Sequence, residues 1–457
     1  MASNIISGYS PTNEELRQLY IGKDIGDVPK PAVVLDVAII KRHCQTMLQT
    51  IKQLGVGFRA HVKTHKTPQI ARLQVCTESS DANFVISTVA ELESLLPLLK
   101  ELRLQNRRVN VLYGIPLVPS QVPRLAALAR QLRTTDHDPP VSLMIDHPDQ
   151  LAYLSQFREL AGLPAGIFLK IDTGYHRAGV PPDMLNKKGL LEKVLQEERL
   201  RHAILIGIYS HSSLSYAATS PEEAISYLKT EIEGCVRALR QHASLLSDRE
   251  LVISLGATPQ VVSAQSLLHE DASLTPDAKV LKGLLRDPSA LMGGRLTIEL
   301  HAGVYTLLDM QQLATNAQSS GSFEEEIAIS VIAEVCSVYN EGERDKPEAL
   351  VAAGTLALGR EPCKSYPGWA VVGNWRRESE TGASRLIVER ISQEHGIVAW
   401  EGGNGPAIPV RVGQAVRLYP NHACVTGALY GWYLVVDSSE DGEGSRIVDV
   451  WTRTTGW

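Results

Sequence analysis

No surplus of positive charge runs through this chain of 457 residues, in which Lys and Arg total 45 against 51 for Asp and Glu, a net charge of -6. A polyanion or a membrane surface demands a basic patch, so nucleic acid and membrane are excluded as main partners and a small molecule is favoured. No C-x-x-C pair occurs among the six cysteines (Cys44, Cys76, Cys235, Cys336, Cys363 and Cys424), which argues against a disulfide framework and for a reducing compartment. No apolar run approaches the ~20 residues of a membrane span. The opening "MASNIISGYSPTNEELRQLY" has neither the basic start nor the apolar stretch of a secretory leader, so a cytoplasmic location is expected. Internal repeats with a period of roughly 20 to 50 residues are absent, and so are low-complexity tracts.

What is present is ordinary soluble-protein material, 44% hydrophobic and 21% charged. At about 150 residues per domain the length implies two or three domains, unless one is a barrel of about 250. From residue 57 to about 300, short β-branched runs alternate with helical stretches: "GFRAHVK", "NFVIST", "VNVLYG", "VSLMID", "GIFLKID", "AILIGIYS", "LVISLG" and "RLTIEL". The helical stretch "TVAELESLLPLLKEL" carries its apolar stripe on Val89, Leu92, Leu95, Leu96 and Leu99. Strands with helical crossovers make an α/β fold, with a (β/α)8 TIM-type barrel as the leading architecture and a doubly wound sheet as the alternative. Beyond about Glu324 strands follow one another without helices of comparable length, which marks a C-terminal β-rich domain. The expected divisions are 1–56, an N-terminal segment partly pairing with the β domain; 57–315, the barrel; and 316–457, the β-rich domain. The early run "PAVVLDVAII" pairs with that domain or packs on the barrel, and local pattern does not choose between the two.

Catalytic groups of such barrels come from the carboxyl ends of strands, with phosphate held by the loops after the seventh and eighth. Lys63 lies at the end of the first run. A lysine there is ordinarily a solvated cap, but Arg59 and His61 alternate onto its face and Lys66 follows. Crowded cations are costly without an anion among them, and crowding lowers a lysine pKa, leaving a fraction neutral and nucleophilic. "LGATPQ" after the seventh run offers Gly256, Ala257, Thr258 and backbone N–H groups at a helix start, and Gly303 in "HAGVYTLLD" allows close backbone approach. Together these suggest pyridoxal phosphate as cofactor, with Lys63 as its Schiff-base lysine. Two rim stretches read equally well as substrate contacts or as packing: Asp172, Tyr175, His176 and Arg177 after the fifth run, and Tyr209, His211 and Tyr216 after the sixth. In "RLYPNHACVTGALYGWY", His422 and Cys424 two apart would share a face of a strand and could reach one metal, although a buried His and a free Cys explain an H-x-C more often. A thiolate ligand favours zinc over manganese or magnesium, and two protein ligands would leave positions open for substrate.

The ordered set "RAHVKTHKTP", "KIDTGYHRAGV", "SLGATP", "ELHAGVYTLLDMQ" and "YPNHACVT" resembles the eukaryotic-type D-serine dehydratases, relatives of the D-threonine aldolases with an alanine-racemase-like barrel and β domain. The resemblance runs from about residue 30 onward. It implies that Lys63 carries pyridoxal phosphate, that Tyr209 and Tyr216 contact the cofactor, and that Gly256, Thr258, Gly303 and Val304 form its phosphate and rim contacts. It further implies that His422 and Cys424 bind zinc, where the aldolases tend to carry aspartate in place of the cysteine, and that the enzyme is a homodimer. The implied reaction is β-elimination from D-serine or D-threonine to pyruvate or 2-oxobutyrate and ammonia. The alternatives are a metal-dependent aldolase acting on D-threonine or 3-hydroxy-D-aspartate, and a non-catalytic pyridoxal-phosphate carrier. Two stretches depart from the family pattern. "HAGVY" stands where an Arg-Pro-Gly-Asn-Tyr type sequence is common, leaving only a backbone N–H at Val304, and "SHSSLSY" replaces a Gly-His-Ser-Tyr type sequence.

Overall fold

The computed structural model describes residues 11–75, 79–133, 138–246, 249–288, 295–317, 321–373, 385–403, 405–442 and 444–457; Cys76 lies outside them. The chain forms two compact units. One comprises Met1–Arg42, Leu307–Gln311 and Gly321–Arg453, the other His43–Thr306, Gln312–Ser320 and Thr454–Trp457.

After a first strand, β1 (Ala32–Asp36), come β2 (Gly57–His61), β3 (Asp81–Ile86), β4 (Arg108–Pro116), β5 (Val141–Ile145), β6 (Ala165–Ile171), β7 (Ala203–Ser210), β8 (Glu250–Leu255) and β9 (Arg295–Ala302). Strands β2 to β9 are parallel in sequence order, and β9 pairs with β2 to close the barrel. All eight expected runs are strands of it. Their unbroken apolar character follows from burial on both faces, which reaches every position of β5 and β6. Val85, Leu112, Met144, Phe168 and Tyr209 form one interior cluster. The helix Val89–Leu104 opens on Thr88, whose hydroxyl accepts the Glu91 N–H, and Leu98 is buried in it where the stripe put Leu96.

Inside the barrel Arg59 is already neutralised. Its Nε donates to Glu299 Oε1 at 2.5 Å and its Nη1 to Asn110 Oδ1 at 2.7 Å, while Asn83 Nδ2 donates to Glu299 Oε2 at 2.9 Å. Both members of the ion pair are under 5% exposed. A buried pair with its remaining lone pairs satisfied is a structural device, and removing one partner strands the other charge. The crowding expected on this face therefore does not include Arg59. Nor does it include Lys66, whose Nζ lies 3.0 Å from the buried Glu91.

The second unit holds β1 and β10 (Ile329–Tyr339), β11 (Glu348–Val351), β12 (Ala370–Val372), β13 (Leu386–Ile391), β14 (Gly396–Trp400), β15 (Ala415–Pro420), β16 (Trp432–Val436) and β17 (Ile447–Thr452). They form one sheet in the order β11-β14-β13-β12-β15-β10-β1-β16-β17. The early run thus belongs to this sheet, with β1 antiparallel to β10 at Ala32↔Ile332 and parallel to β16 at Val34↔Leu434. A strand flanked on both sides must be apolar on both faces, and Val33, Val34 and Leu35 are all buried. Among the described residues no helix is long and apolar enough to cross a membrane, and Cys44, Cys235, Cys336, Cys363 and Cys424 form no disulfide.

Candidate active site

The sequence-selected residues of the barrel unit lie at the carboxyl ends of β6, β7, β8, β9 and β2, which are consecutive around the closed sheet. Lys63 is half-buried two residues beyond β2, and its N–H points at His61 Nδ1 at 3.4 Å. Tyr209, next to last in β7, is buried with its ring stacked on His301 at 4.4 Å and 2°. His211 Nδ1 lies 2.7 Å from the Gly256 carbonyl, which acts only as acceptor, so that nitrogen carries the proton; the His211 and His301 rings are 5.7 Å apart. Gly256 has φ +127°, and a Cβ there would meet Val261 Cγ2 at 2.9 Å and the His301 carbonyl at 3.0 Å. A Cβ on Gly303 would lie 2.8 Å from the His61 carbonyl. Both glycines are therefore required by packing between neighbouring strand ends, whatever else their N–H groups hold. Thr258 opens the short helix Thr258–Ser263, Val304 the turn Val304–Thr306, and Tyr216 sits half-buried in the turn Ser213–Ala217.

Burial drives the pKa of His61, His211 and His301 well below the ordinary imidazole value, and the positive charges around them act in the same direction: Lys63 and Arg177 on His61 and His211, Lys170 on His211 and His301. Three neutral imidazoles thus leave Lys63, Lys170 and Arg177 as the positive charges here, with the buried Glu231 acting against Lys170. Sequence reasoning missed Lys170. It is the sixth residue of β6, 4% exposed, with Nζ 4.8 Å from the Tyr209 ring centroid. The available signal was a lysine inside an otherwise apolar strand, two residues from Phe168 and so on the barrel's inner face.

Lys170 Nζ, Thr258 Oγ1 and His301 Nε2 are buried without a hydrogen-bond partner. Orphaned polar groups, the Lys170 amine and the Thr258 hydroxyl among them able to donate, beside positive charge are what a polyanionic ligand would satisfy, so these residues fit a phosphorylated cofactor. One consequence concerns stability. Burial lowers the Lys170 pKa from 10.5 to about 8. Between those values the unfolded chain binds more protons than the folded one, so this group makes stability rise with pH through that window and exacts its full cost below it. The cost at pH 7 is about 3 kcal/mol. The advantage of Lys170→Met over the parent in urea unfolding is expected to be largest at pH 7 and mostly gone at pH 10; an equal advantage at both would mean that Lys170 titrates as an exposed lysine.

In the other unit β15 ends at Pro420, and His422 is the residue preceding the short helix Ala423–Ala428, which contains Cys424. The two are thus not alternate residues of one strand, as the sequence suggested; proline cannot continue the ladder and the chain turns. They nevertheless come close enough for the Cys424 thiol to act on the His422 imidazole. Asp309 Oδ2 accepts the Ala423 N–H at 2.8 Å, and Glu361 Oε2 is 3.7 Å from His422 Nδ1, which is buried and otherwise without a hydrogen bond. Asn421 anchors the turn by donating to the Glu361 and Gly368 carbonyls at 2.8 Å each. Burial opposes a charge on His422, yet Cys424, Asp309 and Glu361 outweigh it and raise its pKa to about 9. An imidazole and a thiol amid carboxylates fit a divalent cation. Among the described residues no three of His, Cys, Asp and Glu are grouped to hold a metal, so the pair would supply two ligands.

A closed barrel of parallel strands in one unit and a mainly antiparallel sheet in the other make up the architecture of the alanine racemase class, and residues 35–273 match the alanine racemase N-terminal domain. Residues 328–436 match a serine dehydratase domain. The chain is 35% identical over 447 residues to a D-serine dehydratase of Schizosaccharomyces pombe, covering 97% of this chain and 96% of that one. It is 28% identical over 461 residues to a D-serine dehydratase of Saccharomyces cerevisiae, covering 96% and 98%. The structure of D-threo-3-hydroxyaspartate dehydratase from Delftia sp. HT23 superposes with a TM-score of 0.72 at 25% identity, covering 95% and 100%. The chain belongs to the D-serine dehydratase family, a family of lyases.

Proposed function

We propose that the protein is a pyridoxal-phosphate- and zinc-dependent D-serine dehydratase that eliminates water from D-serine, and ammonia after it, to give pyruvate, with D-threonine giving 2-oxobutyrate. The observation that carries this reading is the trio of buried, unpartnered groups, Lys170 Nζ, Thr258 Oγ1 and His301 Nε2, at a mouth that also holds Lys63. A cytoplasmic homodimer completes the proposal. When bound, pyridoxal phosphate supplies an electron sink for the pair left at the substrate Cα, and zinc polarises the C–O bond of the leaving hydroxyl.

The chain's own residues do the remaining work. Lys63 Nζ would anchor the cofactor and, as a free amine, would accept the substrate Cα proton. Thr258 Oγ1 and the N–H groups of Gly256, Gly303 and Val304 bind the phosphate and rim, with Tyr209 and Tyr216 as aromatic contacts. The neutral His61, His211 and His301 add hydrogen-bonding groups without adding charge, so Lys63 and Arg177 match the anionic cofactor and substrate carboxylate, with Lys170 shared between them and the buried Glu231. His422 and Cys424 hold the zinc. Departure of water leaves 2-aminoacrylate, which hydrolyses to pyruvate and ammonia.

The test is to incubate the purified protein with D-serine and with D-threonine, with and without a chelator, and to identify the products. Pyruvate and 2-oxobutyrate are expected, falling steeply after chelation. Glycine with acetaldehyde from D-threonine would replace elimination by a retro-aldol reaction.

A further inference from the structure

The helix Pro221–Arg240 buries an apolar stripe of Ala224, Leu228 and Cys235, and on that stripe stands a carboxylate, Glu231, only 1% exposed. A buried acid costs free energy unless each lone pair is used. Ser210, the last residue of β7, donates its hydroxyl to Glu231 Oε1 at 2.6 Å, and Gln260 Nε2 donates to Oε2 at 3.0 Å. Burial pushes the Glu231 carboxyl above its usual range, and against this the Ser212 N–H adds a third bond and the Lys170 charge faces the carboxylate from β6. Because the single Ser210 proton is given to Glu231, the 3.0 Å contact between Ser210 Oγ and Thr173 Oγ1 has Thr173 as donor.

Each bond ends next to a proposed cofactor contact. Ser210 and Ser212 flank His211 and follow Tyr209. Ser212 Oγ also accepts the Leu214 N–H at 3.3 Å, starting the turn that carries Tyr216. Gln260 lies in the same turn of helix as Thr258, and Thr173 belongs to the loop after β6. One side chain, remote in sequence from all of them, thus ties together the ends of β6, β7 and β8.

We propose that Glu231 is the positioning residue of the cofactor cradle: through Ser210, Ser212 and Gln260 it sets where Tyr209, His211 and Thr258 stand. This rests on the pyridoxal-phosphate reading above. Gln260 Oε1 is buried and unpartnered, so the Gln260 amide can turn over to accept from a glutamine placed at 231. Glu231→Gln therefore keeps the links, whereas Glu231→Ala removes all three and Gln260→Ala removes the one that reaches the helix of Thr258.

The measurement is the dissociation constant for added pyridoxal phosphate after cofactor removal, followed by visible absorbance, with unfolding midpoints taken alongside. Each alanine variant is expected to bind about tenfold more weakly, the scale of a lost charge-assisted hydrogen bond, and Glu231→Gln to stay within about threefold of the parent. Alanine variants that fold and bind like the parent overturn the proposal, as does a glutamine variant as weak as alanine. Should Glu231→Ala fail to fold, Gln260→Ala decides. A parent that takes up no cofactor overturns the functional reading instead, and the two failures are distinct.

Discussion

Lys63→Ala is expected to lose the visible absorbance of bound pyridoxal phosphate and, with it, turnover by roughly 10³-fold or more, since on the proposed reading one amine serves as covalent anchor and as base. The structure narrows what a different result would mean. Lys66, the neighbouring amine, is held 3.0 Å from Glu91, a carboxylate only 1% exposed, so leaving would strand a buried charge. Lys170 has no hydrogen-bond partner at Nζ, and burial lowers its pKa to about 8, so a larger fraction is neutral near pH 7 than for an exposed lysine. Retained absorbance in Lys63→Ala would thus move the anchor to Lys170, and the double variant Lys63→Ala/Lys170→Met would have to abolish it. Full turnover in Lys63→Ala would end the assignment of Lys63 altogether.

The barrel strands were legible because strands buried on both faces advertise themselves as short apolar runs, and the crossovers because helices such as Val89–Leu104 carry a period and an N-terminal threonine. The place of β1 was not legible for the same reason: a run apolar on both faces reads alike whichever sheet receives it, and its partners lie some three to four hundred residues along the chain at Ile332 and Leu434. Arg59 shows the limit for charge. Alternation places it correctly on the inner face, but its neutralising partner Glu299 is 240 residues away, so local pattern makes it look like a cation wanting an anion. Lys170 and Arg177 take the place of Arg59 and Lys66 in that account. The inference of an anionic ligand is the same, with different residues behind it. Glu231 was visible only as an acid on an apolar helical stripe, a pattern that says a partner exists without saying which.

His422→Ala and Cys424→Ala are each expected to lose bound zinc and to lower turnover by roughly 10²- to 10³-fold, the scale of several kcal/mol of Lewis-acid assistance. The pair depends on a turn: Pro420 ends the strand, Asn421 ties the chain to the Glu361 and Gly368 carbonyls, and Asp309 holds the Ala423 N–H, which together fix the residues before and between the two donors. Cys424→Asp keeps an anionic donor but exchanges a soft ligand for a hard one, so its retained metal should shift from zinc toward manganese. Metal content by mass spectrometry, read beside product formation, separates the cases. Loss of zinc together with loss of elimination supports the pair as ligands, and parental turnover in protein stripped of all metal would remove zinc from the mechanism. If His422→Ala retained one zinc per chain and normal turnover, the ligands would lie elsewhere and the raised pKa of His422 would reflect only its acidic neighbours, Asp309 and Glu361, with the Cys424 thiol.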